Sequence, residues 1–172
     1  MNKLHLGCGE DIKEGYVNVD LVKLKGVDVV WDLNIFPWPF KDNQFEEVFA
    51  TATFEHLDNL VKVMGEVYRV SKPNAIIDIG VPHFSSLGAF RDPTHKTFFT
   101  YYTFDYFDKN FEYNFYSNAR FKIISRKIVY GKGLGLFQWI ANKFPKFHEI
   151  SLRKILPAKS LYFILKTDKS RD

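Results

Sequence analysis

Short runs of β-branched and aromatic residues, broken by glycine turns and polar loops, pattern the first half of this chain. Residues 3–6 lean apolar and stop at Gly7-Cys8-Gly9, the signature of a buried strand ending in a glycine turn. Residues 16–20 and 27–32 are rich in Val, Tyr and Trp, and each run closes on an aspartate, Asp20 and Asp32. Pro37 and Pro39 interrupt the chain before a fourth strand over 46–52. Leu57, Leu60, Val61, Met64, Val67 and Tyr68 then recur at helical spacing behind Asp58 as the expected N-cap, and Lys72-Pro73-Asn74 ends the helix. A fifth strand covers 75–81, and an irregular stretch runs from Pro82 to about Pro93. The aromatic-dense segment 98–116 is expected to be partly helical, its rings filling core and capping the sheet edge. Two last strands over 121–130 and 160–167 flank residues 131–159, which carry amphipathic helices around 136–144 and 148–156.

Strands alternating with helices and turns predict an α/β doubly wound, mostly parallel sheet in a single domain spanning 1–172, with 131–159 as a basic amphipathic helical insertion. Parallel neighbours ordinarily need a crossover of a dozen or more residues, yet only short segments separate the first three strands, so the first two helices are reduced to loops. One sheet face is then left without helices, whereas a buried parallel sheet wants both faces covered. The helices within 136–156, or self-association with a second subunit, are expected to cover it.

No apolar run approaches the roughly 20 residues that cross a bilayer, and the first residues lack the apolar stretch of an export signal. A cytoplasmic location is expected. The lone Cys8 allows no internal disulfide, no Cys/His cluster has zinc-ligand spacing, and no metal is expected. The net charge of +4 is uneven: from Gly131 onward there are 9 Lys/Arg against 3 Asp/Glu. Phe137, Trp139, Ile140, Phe144 and Phe147, interleaved with lysines, suit a core-covering role, a peripheral membrane contact or an anionic substrate. The first 130 residues are slightly acidic and hold no RNA-binding motif, so a nucleic-acid partner is not expected.

Open α/β sheets bind ligands beyond the carboxyl ends of their strands at the switch point, and three groups gather there. Gly7 and Gly9 let a ligand approach the backbone, Asp20 can accept from two ribose hydroxyls, and Asp32 can accept from an adenine amine. A dinucleotide fingerprint needs a third glycine where this chain has Ile12, which disfavours a nicotinamide-dependent oxidoreductase. Leu4-His5-Leu6-Gly7-Cys8-Gly9, Gly15-Tyr16-Val17-Asn18-Val19-Asp20-Leu21, Trp31-Asp32-Leu33, Phe54-Glu55-His56-Leu57 and Arg69-Val70-Ser71-Lys72-Pro73-Asn74 together resemble the ordered motifs of class I S-adenosylmethionine-dependent methyltransferases. The resemblance covers roughly residues 3–130. It implies a seven-stranded sheet ending in an antiparallel hairpin, with S-adenosylmethionine as cofactor and S-adenosylhomocysteine as product. It further implies that Gly7, Cys8 and Gly9 line the methionine part, that Asp20 and Leu21 hold the ribose end, and that Asp32 and Leu33 meet adenine. Thr51 and Ala52 would lie beside the sulfonium.

Transfer to a hydroxyl or amine of a small-molecule or glycan-type acceptor is helped by a base of near-neutral pKa, and histidine is the first candidate. His95 in Arg91-Asp92-Pro93-Thr94-His95, His83 after the fifth strand and His56 after the fourth all reach the carboxyl edge of the predicted sheet. Asp92 is placed to orient His95, His5 and His148 read as structural or surface residues, and Glu55 either caps the following helix or touches the cofactor. A module that binds the cofactor without transferring its methyl group would preserve the same glycines and aspartates.

Overall fold

The computed structural model describes residues 1–170. Strands β1 (Lys3–Leu6), β2 (Tyr16–Asp20), β3 (Val29–Val30), β4 (Phe45–Thr51), β5 (Ser71–Pro82), β6 (Phe121–Val129) and β7 (Ser160–Thr167) form one sheet in the order β3-β2-β1-β4-β5-β7-β6. β7 runs antiparallel to both neighbours while the five strands from β3 to β5 are mutually parallel. This is the expected α/β sheet with antiparallel pairing at its C-terminal end. The order reverses between β1 and β4, so a switch point opens over their carboxyl ends.

One face of the sheet is apolar and covered. Leu4, Leu6, Val48, Ala50, Ile77, Ile79, Leu161, Phe163 and Leu165 are buried there in one cluster with Val63, Met64, Val67 and Val70 of helix α1 (Leu60–Val70). The cap of α1 falls one residue later than expected: the Asn59 side chain accepts the Lys62 N–H at 3.0 Å, and Asp58 instead pairs with Lys96 at 2.6 Å. The helix leads directly into β5, which starts at Ser71 and is longer than the pattern predicted. Part of the aromatic segment completes this core as expected, with Phe104 against Phe163 at 4.7 Å between ring centroids, and folds into 3₁₀ turns over Thr103–Phe107 and Asn114–Tyr116. Helix α2 (Leu87–Arg91) lies in the stretch expected to be irregular, capped by Ser86, whose hydroxyl accepts the Ala89 N–H.

The other face is polar, and the helices expected over it lie elsewhere. Its registered rows place Tyr16 and Lys3 beside Glu47, and Asn18 and His5 beside Phe49 and Asp78. Lys3 pairs with Glu47 at 2.8 Å, the Tyr16 hydroxyl donates to Glu47, and Lys13 lies 4.2 Å from the Phe49 ring centroid. These strands therefore alternate apolar with polar, and a face carrying charged side chains tolerates water where an all-apolar one would not. Helices α3 (Gly135–Lys143) and α4 (Pro145–Ile150) do not cover it. The Asn142 side chain accepts the Ile128 N–H and donates to the Ile128 carbonyl, both at 2.8 Å, so α3 closes the outer edge of β6. α4 carries the buried His148 against His83 at the end of β5.

The ends of β1 and β4 are tied together beneath the switch point. The Thr53 hydroxyl lies 3.1 Å from the Leu6 and Thr51 carbonyls, and Gly7 sits against it with φ +60°. A Cβ on Gly7 would meet Thr53 Oγ1 at 2.4 Å. Gly7→Ala therefore combines left-handed strain with overpacking, and is expected to destabilise the protein by roughly 2–4 kcal/mol in urea unfolding. A loss under about 0.5 kcal/mol, the range of neutral surface changes, would show that this approach does not constrain the fold.

Candidate functional site

The candidate site has two parts, one on each side of the switch point. The first is the turn after β1. Gly9 has φ +50°, its N–H donates to Asp20 Oδ2 at 2.8 Å, and a Cβ on it would meet nothing within 4 Å. Open space thus lies beside a backbone that only glycine adopts at low cost. Asp20 Oδ1 accepts the Val22 N–H at 3.0 Å, so each carboxylate oxygen is oriented by one backbone donor and keeps capacity for a ligand hydroxyl. Asp32 closes an Asx turn on the Asn34 N–H at 2.8 Å. Leu21 is exposed beside Asp20, whereas Leu33 turns its side chain into the core and can offer a ligand only its main chain. Cys8 is buried and its N–H bonds the Val19 carbonyl at 3.0 Å. Burial, reinforced by the Asp20 charge, raises its pKa, so Cys8 remains a thiol and no nucleophile.

The second half is a cavity of about 580 Å³ over the ends of β4 and β5. Thr51, Ala52, Glu55, His56, Gly80, Arg91, Asp92, His95, Ser160 and Tyr162 are among its lining residues. The local structure explains how residues far apart in sequence meet here. The Lys96 and Thr97 N–H groups both donate to the Glu55 carbonyl, at 2.7 and 3.1 Å, and the Thr97 hydroxyl donates to Leu57. The loop after α2 is thereby pinned onto the turn after β4, which sets the His56 and His95 rings 4.7 Å apart, edge to face. Ala52, with φ +52°, turns the chain out of β4 into this cavity.

Hydrogen bonds fix both imidazoles. His95 Nδ1 lies 2.9 Å from the Ala89 carbonyl, an acceptor only, so Nδ1 carries a proton and, in the neutral ring, Nε2 holds the lone pair. The Thr94 hydroxyl donates to Asp92 Oδ1 at 2.7 Å, which leaves its oxygen to accept from His56 Nδ1 at 2.8 Å. Both Nε2 atoms are free to take a proton or bind a ligand. Asp92 thus acts chiefly on His56 through Thr94, since its other oxygen stands 4.0 Å from His95 Nε2. Glu55 is buried; its Oε2 has no partner, and desolvation raises its pKa. Asn59 caps α1, so Glu55 does not.

The third predicted histidine is elsewhere. His83 is fully buried, accepts the Ser85 N–H on Nδ1 at 3.1 Å and donates from Nε2 to Glu149 at 3.2 Å, so neither nitrogen faces the cavity. His5 is structural as expected, its Nδ1 3.2 Å from Asn18 Oδ1. His148, read as structural or surface, is fully buried. Arg91, Ser160 and Tyr162 were not singled out from sequence, and Ser160 and Tyr162 arrive only because β7 inserts between β5 and β6.

A model of the methyltransferase-domain family, Methyltransf_11, matches residues 8–79. Among proteins with curated descriptions, none matches this chain. A solved S-adenosylmethionine-dependent methyltransferase from Archaeoglobus fulgidus aligns over 96% of this chain and 85% of its own at 21% identity and a TM-score of 0.65. One from Mesorhizobium loti aligns over 96% and 90% at 11% identity and a TM-score of 0.61. Phosphoethanolamine N-methyltransferase 2 from Haemonchus contortus, solved with S-adenosylmethionine, aligns over 98% of this chain and 48% of its own at 12% identity and a TM-score of 0.55. Strand order, matched segment and neighbours agree with the motifs of the first third: the fold is that of class I methyltransferases, and residues 8–79 are similar to the methyltransferase-domain model.

Burial first, and then the neighbouring His95, lowers the His56 pKa from 6.5. Proton NMR titration of its ring should therefore give a midpoint below 6.5, with the neutral form present at pH 7. A midpoint above 6.5 would contradict the assigned environment.

Proposed function

We propose that this protein transfers a methyl group from S-adenosylmethionine to a small polar acceptor, a hydroxyl or amine of a metabolite or glycan. The observation that carries the reading is one of continuity: Thr51 and Ala52, the pair that the family resemblance puts beside the sulfonium, line the same cavity as His56 and His95. The residues around the switch point fit the cofactor. The open space beside Gly9 leaves room for its amino-acid part, Asp20 has capacity for ribose hydroxyls, and Asp32 would close the adenine end. When bound, the cofactor supplies an electrophilic methyl group. The protein's own contribution is to hold the acceptor in line, exclude water, and offer Nε2 of His95 or His56 to the acceptor's proton. Glu55, Arg91, Ser160 and Tyr162 give the wall polar contacts suited to an acceptor rich in oxygen or nitrogen.

The acceptor meets the enzyme, on the same reading, at an anionic membrane surface. Leu136, Trp139, Phe144, Phe147, Ile150 and Ile155 are exposed on or just after α3 and α4, Ile155 by 85%. Lys132, Lys143, Lys146, Arg153, Lys154 and Lys159 interleave with them. The single acid of this insertion, Glu149, is occupied by His83 and the Tyr101 N–H. Apolar side chains flanked by uncompensated cations suit a layer of acyl chains under anionic headgroups. Among the described residues no helix is long and apolar enough to cross a membrane, so such contact would be peripheral.

Calorimetry with S-adenosylhomocysteine tests the first reading. Asp20→Ala should cost about 1.5–3 kcal/mol, roughly 10- to 150-fold in Kd, as for a hydrogen bond to a charged group. Unchanged affinity, or tighter binding of NAD by the parent protein, would overturn it. Vesicle cosedimentation tests the second: binding to vesicles containing phosphatidylglycerol should exceed binding to pure phosphatidylcholine, weaken with salt, and fall in Trp139→Ala/Phe147→Ala. Equal partition to both vesicles, or burial of the same residues in a stable dimer, would refute it.

A further inference from the structure

We propose that Glu55, His56 and His95 form a binding site for a divalent first-row transition-metal ion, with its open coordination positions facing the acceptor cavity. One ligand atom from each lies within 4.8 Å of the other two, and all three residues line the cavity wall. Ligands at 2.0–2.2 Å from a cation stand about 3–3.5 Å apart, so loading the site requires an inward movement of roughly an ångström.

Three independent features prepare these groups for a cation. Both imidazoles give Nδ1–H to an oxygen acceptor, Ala89 carbonyl for His95 and Thr94 hydroxyl for His56, which is how a metal-ligating histidine is usually held so that Nε2 keeps its lone pair. Glu55 places an oxygen out of contact with solvent and without any hydrogen-bond partner, an arrangement that costs free energy until something positive meets it. The pinning of Lys96 and Thr97 onto the Glu55 carbonyl fixes the two chain segments relative to one another, so the donors converge before any ligand arrives. Two imidazole nitrogens and a carboxylate select a borderline ion such as zinc, cobalt, iron or manganese over magnesium or calcium.

A second cluster, His83, His148 and Glu149, has the same residue types but not the same readiness. His83 already donates its Nε2 proton to Glu149, and the cluster is buried between α4, which carries His148 and Glu149, and the end of β5. Only the first group combines free lone pairs with an open side. The site goes beyond the methyl-transfer reading and does not depend on it. Were both correct, the cation would take over the role given above to the two Nε2 lone pairs: an acceptor hydroxyl placed on it would lose its proton to solvent water more readily, and His56 and His95 would act as ligands in place of bases.

The test uses the full chain freed of metal by a chelator and titrated with Co²⁺, read by visible d–d absorption, and with Zn²⁺, read by calorimetry. Stoichiometric uptake and a rise in Tm are expected. Glu55→Gln and, separately, His95→Gln should each weaken uptake by at least about 10-fold, since even outer-shell changes cost this much. Both should keep the parental far-ultraviolet circular dichroism and a cooperative thermal transition in the metal-free state, which reports an intact fold. His95→Gln, at a partly exposed loop position, carries the test should Glu55→Gln fail to fold. No uptake, or uptake and Tm rise unchanged in a folded variant, would overturn the proposal. Loss of cofactor affinity in the parent protein with metal uptake retained would instead sink the methyl-transfer reading alone.

Discussion

The Thr53 side chain is the joint on which the site depends. Its hydroxyl reaches the last residue of β1 and the last of β4, Leu6 and Thr51, at the two strands that border the switch point. That contact sets the turn carrying Gly7 and Gly9 at a fixed height relative to the turn carrying Ala52, Glu55 and His56. Because Gly7 has no Cβ, the two turns approach more closely than any other residue would permit. In-line transfer needs donor and acceptor atoms aligned within a fraction of an ångström, and no single loop supplies such alignment. A junction between neighbouring strands does.

The loss of the first two crossover helices makes this joint more important. In their place a polar hub organises the short turns: Asn18 accepts from the Lys13 N–H, donates to the Lys13 carbonyl and to Asp28, and lies beside His5. Asp28 in turn accepts the Asn18 N–H at 2.7 Å and links β2 to the chain entering β3. A buried amide with its donors and acceptors satisfied can hold a loop where a helix would otherwise pack, at the cost that each partner must be present. The same substitution of polar for apolar appears on the sheet surface above it, where Lys3, Tyr16, Glu47 and Asp78 replace the side chains that a covering helix would need. Missing helices and polar rows are two sides of one change.

Strand positions and the acidic residues at the ends of β2 and after β3 were legible in the sequence, because each rests on local periodicity and on turns that only a few residues make, whereas the antiparallel end of the sheet was implied by the family resemblance. Asp20 and Gly9 are joined as those motifs require. What the sequence hid arises from long-range contacts. Glu55, His56 and His95 belong to one wall only because a loop forty residues on donates to one carbonyl, and no spacing rule for metal ligands anticipates that pairing. His83 looked well placed at a strand end, but Glu149 from α4 captures it. The expected helical cover over the bare face rested on the rule that parallel sheets pack on both sides, but the period-two alternation of Lys3 with Leu4, and of Glu47 with Val48, gives that face charged side chains that do not need a packed layer.

His56, with its pKa lowered beside a second imidazole, has a physical reason for that shift, since adjacent imidazolium charges repel. The hydrogen-bond chain from Asp92 through Thr94 gives His56 a partner whose full charge is buffered by an intervening hydroxyl, so the proton on Nδ1 is oriented without the carboxylate raising the basicity of the ring strongly. Burial and the second imidazole push the other way, and their sum keeps His56 below the ordinary histidine range. A direct carboxylate contact would have favoured the doubly protonated ring, which can neither accept a proton nor bind a cation. The relay therefore favours the protonation state in which His56 has an electron pair to offer.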